Sequence, residues 1–244
     1  MGDGDDVITE DFRHEELRRF VVDPDAYLRG TAQLDVRRRI LRHMVPSVEG
    51  LTLVDIGCGD GSVSAQFVAQ VQRLVLLDRS ATMLERAKDR IQPDATSKVE
   101  FVHGSLEQFQ SEPADVVLCI GVLAYVPDVG DALRRVSELT KADGRVIVQF
   151  TDSASWCGAA FRGYFRLRGC LGKPSLLNGT SFDSVTTSAA SVGLSPVDCV
   201  RHWPLVPGMG RLPEKLQHRY LMSTSGAGEG PGRGSETYVL FRKR

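Results

Sequence analysis

The stretch LTLVDIGCGDGSVSAQFV, residues 51–68, sets Gly57, Gly59 and Gly61 into five positions between an apolar run and an amphipathic one. The run before them, 51–56, is short and ends in glycine, as a buried strand does. After them Val63, Phe67 and Val71 recur every four residues, the spacing of one helical face, and LVLLD (74–78) is a second buried-strand run. The reading is strand, helix, strand. A turn this rich in glycine admits positive φ and lets a ligand touch the main chain with no Cβ in between.

The same rhythm continues outward. Ser80 is placed to cap a helix whose apolar stripe is Met83, Leu84, Ala87 and Ile91, with Pro93 beyond its end. VEFVHG (99–104) and DVVLCI (115–120) read as strands three and four. Val129, Leu133, Val136 and Leu139 keep helical spacing, Ala142-Asp143-Gly144 reads as a turn, and RVIVQF (145–150) as strand five. A helix over 182–192 ended by Gly193, with PVDCVRHW (196–203) and TYVLFRKR (237–244) as strands, completes the expected fold. That fold is α/β: a doubly wound, mostly parallel seven-stranded sheet covered on both faces.

Three segments stand outside this pattern. Residues 1–30 carry nine acids against four arginines, and DVRRRILRHM (35–44) has the spacing of a helix packed on the domain. Residues 1–45 are therefore expected to form an N-terminal helical arm or lid, with the main domain at 46–244. Residues 153–175 hold three arginines, a lysine, no acids and the aromatics Trp156, Phe161, Tyr164 and Phe165. They read as an insertion after strand five, forming an acceptor cap over 153–180, because loops on a rigid scaffold carry specificity. SGAGEGPGRG (225–234) is low-complexity.

Composition excludes several classes. The net charge of −1 and the lack of dense basic runs argue against nucleic acid. Five scattered cysteines without a CxxC pair argue against disulfides and structural zinc, and no metal is expected. An acidic N-terminus with no apolar core and no run of about 18 apolar residues excludes a secretory signal and a membrane span. A soluble protein of a reducing, cytoplasmic compartment is expected, with its oligomeric state unreadable.

In an open α/β sheet the ligand lies at the carboxyl ends of the strands, where the first strand-to-helix turn sits. Asp78, ending strand two, is placed to accept hydrogen bonds from a ribose. Dinucleotide loops read GxGxxG, whereas this one reads GxGxG with Asp55 two residues before its first glycine; that carboxylate disfavours a diphosphate and favours a cation. The Walker pattern is absent. A cationic, phosphate-free nucleoside fits, and S-adenosyl-L-methionine is one.

VDIGCGDG (54–61), Asp78, HGSLEQF (103–109), DVVLCIGVLAYVPD (115–128) and ALRRVSELTKADGRVIV (132–148) together resemble a class I S-adenosylmethionine-dependent methyltransferase of Rossmann-like fold, over about residues 50–150. The resemblance implies that the glycine loop passes under the methionine part of the cofactor and that Asp78 holds the ribose hydroxyls. It further implies that Arg79 and Met83 flank the adenine, Ser105 and Leu106 border its edge, and the main chain near Ile120 and Gly121 meets the amino group. Many relatives have aspartate where Ser105 stands, and two glycines where this chain has Asp143-Gly144.

Methyl transfer from a sulfonium is an in-line displacement, so the protein must align the partners, exclude water and take a proton where the acceptor loses one. S-adenosyl-L-homocysteine would be the product. Tyr125, a few residues past strand four, is the first candidate for catalysis; the alternative is that it packs against the cofactor. YLRGTAQLDVRRRI (27–40) is similar to the entry segment of magnesium-protoporphyrin O-methyltransferases, which implies a lid role and a candidate acid or base for Tyr27. His202 beside Trp203 either lines the acceptor pocket or packs, and His103 reads as structural. The expected activity is O- or N-methylation of a small, apolar or aromatic acceptor in a biosynthetic tailoring pathway. The alternatives are a non-methyl-transfer reaction on the same fold and cofactor, and a non-catalytic cofactor-binding partner subunit.

Overall fold

The computed structural model describes residues 31–91, 98–154, 180–202, 213–224 and 234–244. Branched apolar residues alternate in facing along each strand and so build a sheet buried on both sides. Its strands are β1 (Thr52–Ile56), β2 (Arg73–Asp78), β3 (Val99–His103), β4 (Ala114–Ile120), β5 (Thr140–Thr151), β6 (Leu194–His202) and β7 (Glu236–Lys243). The spatial order is β3-β2-β1-β4-β5-β7-β6, with β7 antiparallel to both its neighbours and the first five strands parallel. This is the expected seven-stranded, mostly parallel sheet.

Two apolar layers cover it. Leu53, Leu74, Leu76, Val116 and Leu118 face α1 (Thr31–Met44) and α2 (Ala81–Arg90), with Leu221 of α5 (Glu214–Thr224) joining the same layer. Val54, Val75, Val117, Val146 and Val148 face α3 (Val129–Glu138) and α4 (Phe182–Ser191). Helix starts follow from short polar side chains that satisfy first-turn N–H groups. Ser80 accepts from the Met83 amide at 3.3 Å, Asp128 from Asp131 at 2.7 Å, and Ser181 forms a capping box with Ser184.

Three expectations need correction. The helix expected over 63–71 is only a 3₁₀ turn, Ser64–Phe67, continued by irregular turns. Serines and β-branched valines are weak helix formers, and Asp60 accepts from the Ser62 amide at 3.1 Å in a local turn that competes with helix. Strand five begins at Thr140, so the Ala142-Asp143-Gly144 turn is an irregularity inside it, with Asp143 at φ 62° and a register shift against β4. Helix α5 stands where the sequence offered only a long connection. The arm residues 1–30 with Tyr27, most of the 153–180 cap, the stretch around Pro93 and most of the low-complexity segment lie outside the described residues. Among the described residues no helix is long and apolar enough to cross a membrane.

Helix α1 is part of the core, since Val36, Ile40 and Leu41 are fully buried. Replacing Ile40 with alanine is expected to cost about 2–5 kcal/mol of stability, because the site leaves a cavity under the helix. Urea unfolding of the variant beside the wild type measures it.

Candidate active site

The order of strands reverses at β1, and the crevice at such a switch point is where open α/β sheets bind ligands. A cavity of about 630 Å³ opens there. Gly57, Gly59, Asp78, Arg79, Met83, Leu106, Ile120, Gly121 and Tyr125 line it, as the sequence led us to expect of the site; Asp55, Gly61 and Ser105 are not on its wall.

The glycine loop owes its shape to main-chain bonds that begin where β1 ends. The amides of Gly57 and Cys58 both donate to the Leu77 carbonyl, at 2.8 and 3.0 Å, and bend the chain over the end of β2. Gly57, Gly59 and Gly61 hold φ of 68°, 56° and 67°. At Gly57 a side chain is excluded twice, by that φ and by Val122, whose Cγ2 would lie 2.5 Å from an added Cβ. The loop is tethered on both sides: Arg38 of α1 donates to the Ser62 carbonyl at 2.8 Å, and Arg90 of α2 pairs with the buried Asp60 carboxylate.

Asp78 joins the loop to the next helix. Its Oδ2 accepts from the Gly59 amide at 2.7 Å and its Oδ1 from the Ser80 amide at 2.8 Å. Burial raises its pKa above the usual carboxylate range, and the amides of Ser80, Gly59 and Arg79 oppose the rise. Each oxygen keeps a further lone pair, as a ribose diol requires. Asp55, one layer below, is 2% exposed, and its Oδ2 has no hydrogen-bond partner. Burial pushes its pKa up to about 7, with Ser64 opposing and the Asp78 charge adding to the rise. Burial and the surrounding carboxylates also push the Cys58 thiol up, away from nucleophilic use.

Several wall residues escaped the sequence reading. Gln33 and Arg37 come from α1, Glu107 from the loop after β3, Gln149 and Thr151 from β5, and Glu236 from β7; His202, weighed earlier, also lines the cavity. Glu107 supplies a carboxylate two residues from Ser105, held below its ordinary pKa chiefly by the Ser105 side chain. His103 sits aside, its Nε2 3.0 Å from the Arg79 carbonyl. Gln149 had a readable signal, a polar residue in an otherwise apolar strand run, whereas Glu236 had none. No cluster able to hold a metal occurs among the described residues.

An adenosyl cofactor fits this site: Met83, Leu77 and Leu106 give apolar wall, Asp78 the acceptors, and the loop close main-chain approach. Over residues 54–148 the chain resembles a class I, S-adenosylmethionine-dependent methyltransferase domain. Residues 54–148 match the family described as methyltransferase domain. The ubiquinone biosynthesis O-methyltransferase of Schizosaccharomyces pombe is 30% identical over 125 residues, 50% of this chain and 45% of that protein. The magnesium-protoporphyrin O-methyltransferase of Rhodobacter capsulatus is 28% identical over 109 residues, 43% of this chain and 49% of that protein. The chain thus spans about half the length of these curated relatives. Among solved structures, the N-methyltransferase NodS from Bradyrhizobium japonicum WM9 in complex with S-adenosyl-L-homocysteine shares the fold. It does so with a TM-score of 0.64, 16% identity, and coverage of 95% of this chain and 98% of that one.

Two outcomes are expected. Gly57→Ala should weaken S-adenosyl-L-homocysteine binding by roughly tenfold or more in calorimetry, since strained φ costs about 1 kcal/mol or more and the Val122 contact adds to it. For Asp55 the folded pKa, about 7, lies above the ordinary 3.8, so its contribution to stability is full at low pH and is lost as pH rises towards 7. Asp55→Asn should therefore gain on the wild type between pH 5 and pH 8 in urea unfolding, and a constant difference would contradict the buried charge.

Proposed function

We propose that the chain transfers the methyl group of S-adenosylmethionine to an oxygen or nitrogen of a small-molecule acceptor. The observation that carries this reading is one cavity with two chemically distinct ends. Asp78 and the glycine loop, at the ends of β2 and β1, line the first, Gln149, Glu236 and His202 of β5, β7 and β6 line the second, and Tyr125 comes from the loop after β4 between them. The nucleoside belongs at the first and the acceptor at the second. The names of the relatives, O-methyltransferases by sequence and an N-methyltransferase by structure, support the reaction class and leave the acceptor atom open.

The cofactor, when bound, supplies an already activated methyl. The rest falls to the chain. Asp78 fixes the ribose, Arg79 and Met83 border the base, and Asp55 places a carboxylate beneath the loop that favours a cation above it. The loop after β4 holds Tyr125 by a 2.8 Å bond from its amide to the Val122 carbonyl. From there its hydroxyl takes part in orienting the acceptor and in moving the proton that an O–H or N–H acceptor loses. Tyr27, in the segment similar to magnesium-protoporphyrin methyltransferases, would act from the lid.

Methyl-labelled S-adenosylmethionine, incubated with the protein, a cell extract and a panel of phenols, amines and carboxylic acids, tests the reaction by mass spectrometry of the products. A labelled small molecule is expected; cofactor binding with no label moved would favour the non-methyl-transfer or partner-subunit readings. Tyr125→Phe should lower kcat by about 10²-fold, the scale of a lost proton-transfer group, with cofactor affinity unchanged. Tyr27→Phe, run alongside, separates the two tyrosines.

A further inference from the structure

The far end of the cavity is a row of polar side chains laid across three strands. Glu236 of β7 pairs in register with Thr151 of β5 and with His202 of β6, so the three side chains share one face of the sheet. Gln149, two residues before Thr151, stands on that face as well, and all four line the cavity.

The direction of the bonds in this row matters. Gln149 Nε2 donates to Glu236 Oε2 at 2.6 Å, and Thr151 Oγ1 donates to Glu236 Oε1 at 2.8 Å. A carboxylate facing them can only accept, which fixes the amide with its Oε1 turned away from Glu236. That oxygen is buried in a residue only 4% exposed, and it has no hydrogen-bond partner. It lies beside the start of the loop after β4: a Cβ added to Gly121, itself a wall residue at φ 75°, would be 3.6 Å from it.

Charge tells the same story. Glu236 has no ion-pair partner among the described residues, and the guanidinium nearest along β6, Arg201, is committed to Asp152 at 3.3 Å and to the ring of Phe182. Arg37 and Arg79 reach the cavity from α1 and from the turn after β2. The row therefore sets a buried acceptor that lacks a donor, Gln149 Oε1, beside a carboxylate that holds two neutral donors and no cation among the described residues.

We propose that Gln149 and Glu236 form the acceptor-recognition subsite, and that it selects a molecule presenting an O–H or N–H donor, neutral or cationic, and rejects one presenting an anion. This rests on the methyl-transfer reading for the location of the acceptor. Gln149 Oε1 lies nearer the cofactor end and receives the donor of the reacting group or of its neighbour. Glu236 receives a second donor or an ammonium. Thr151 keeps the carboxylate in place as a positioning residue.

The test uses the full chain loaded with S-adenosyl-L-homocysteine and four probes on one aromatic carrier: catechol, its dimethyl ether veratrole, phenethylamine and phenylacetate. Saturation-transfer NMR, followed by titration, reads even weak binding. Catechol and phenethylamine are expected to bind roughly tenfold or more tighter than veratrole and phenylacetate respectively, the scale of a hydrogen bond to a charged or buried group. Glu236→Gln, which keeps the shape and removes the charge, should abolish the preference for phenethylamine over phenylacetate; Gln149→Leu should weaken catechol. Both variants should retain wild-type S-adenosyl-L-homocysteine affinity, which reports that the fold and cofactor end are intact.

Equal binding of the paired probes to the wild type, binding of none of them, or a preference that survives Glu236→Gln would overturn the subsite, and the wild-type comparison holds even if a variant does not fold. Failure of the unmodified protein to bind S-adenosyl-L-homocysteine at all would instead strike the methyl-transfer reading, and the subsite with it. If catechol and phenethylamine differ in affinity, the stronger of the two identifies whether the donor is a hydroxyl or an ammonium.

Discussion

The carboxylate of Asp78 holds the site together because it is the point at which three pieces of backbone meet. It closes the glycine loop through the Gly59 amide, it shapes the turn into α2 through the Ser80 amide, and it ends β2. Removing its charge would leave two inward-pointing N–H groups without their strongest partner. The loop cannot supply a replacement, since glycines have no side chains and Asp60 is already committed to Arg90 and to the Ser62 amide. A ligand that also bonds Asp78 therefore reads, in one contact, whether the loop and the helix start are both in place.

Two further acids lie close to Asp78, and their fates differ because their surroundings do. Asp60 is as buried as any residue in the chain but meets a guanidinium. Asp55 has no cationic partner among the described residues, and burial raises its pKa. Burial favours the protonated form of Asp55 below about pH 7, and a cation placed above it would favour the ionised one.

Much of this was legible in the residues. Strand runs, the Ser80 cap, the stripe of α2 and the three positive-φ glycines all follow from local rules, so the first four strands and the turn after β1 were readable from the residues alone. The segment after the loop misled because a four-residue apolar spacing does not distinguish a helix from a chain of 3₁₀ turns when serine and valine dominate it. The row across β5, β7 and β6 was nearly invisible. Gln149, Thr151, His202 and Glu236 lie 87 positions apart from first to last, and only cross-strand register brings them into one row. Register is a property of the assembled sheet, and no short-range pattern carries it.

The antiparallel β7 also orders events during folding. β6 pairs with β7 alone, and β7 comes last in the sequence, yet it must slot between β5 and β6. The five parallel strands can pair with one another once residue 151 has emerged, with the far edge of β5 left open for β7, so they can assemble during synthesis. β6 must then wait, unpaired and edge-exposed, until a segment more than thirty residues downstream arrives. The half of the cavity holding the glycine loop and Asp78 thus forms early and the half holding Glu236 late. A chain stalled between those stages would present the glycine loop and Asp78 in place beside the open edge of β5, and an open edge is a template for pairing with another chain.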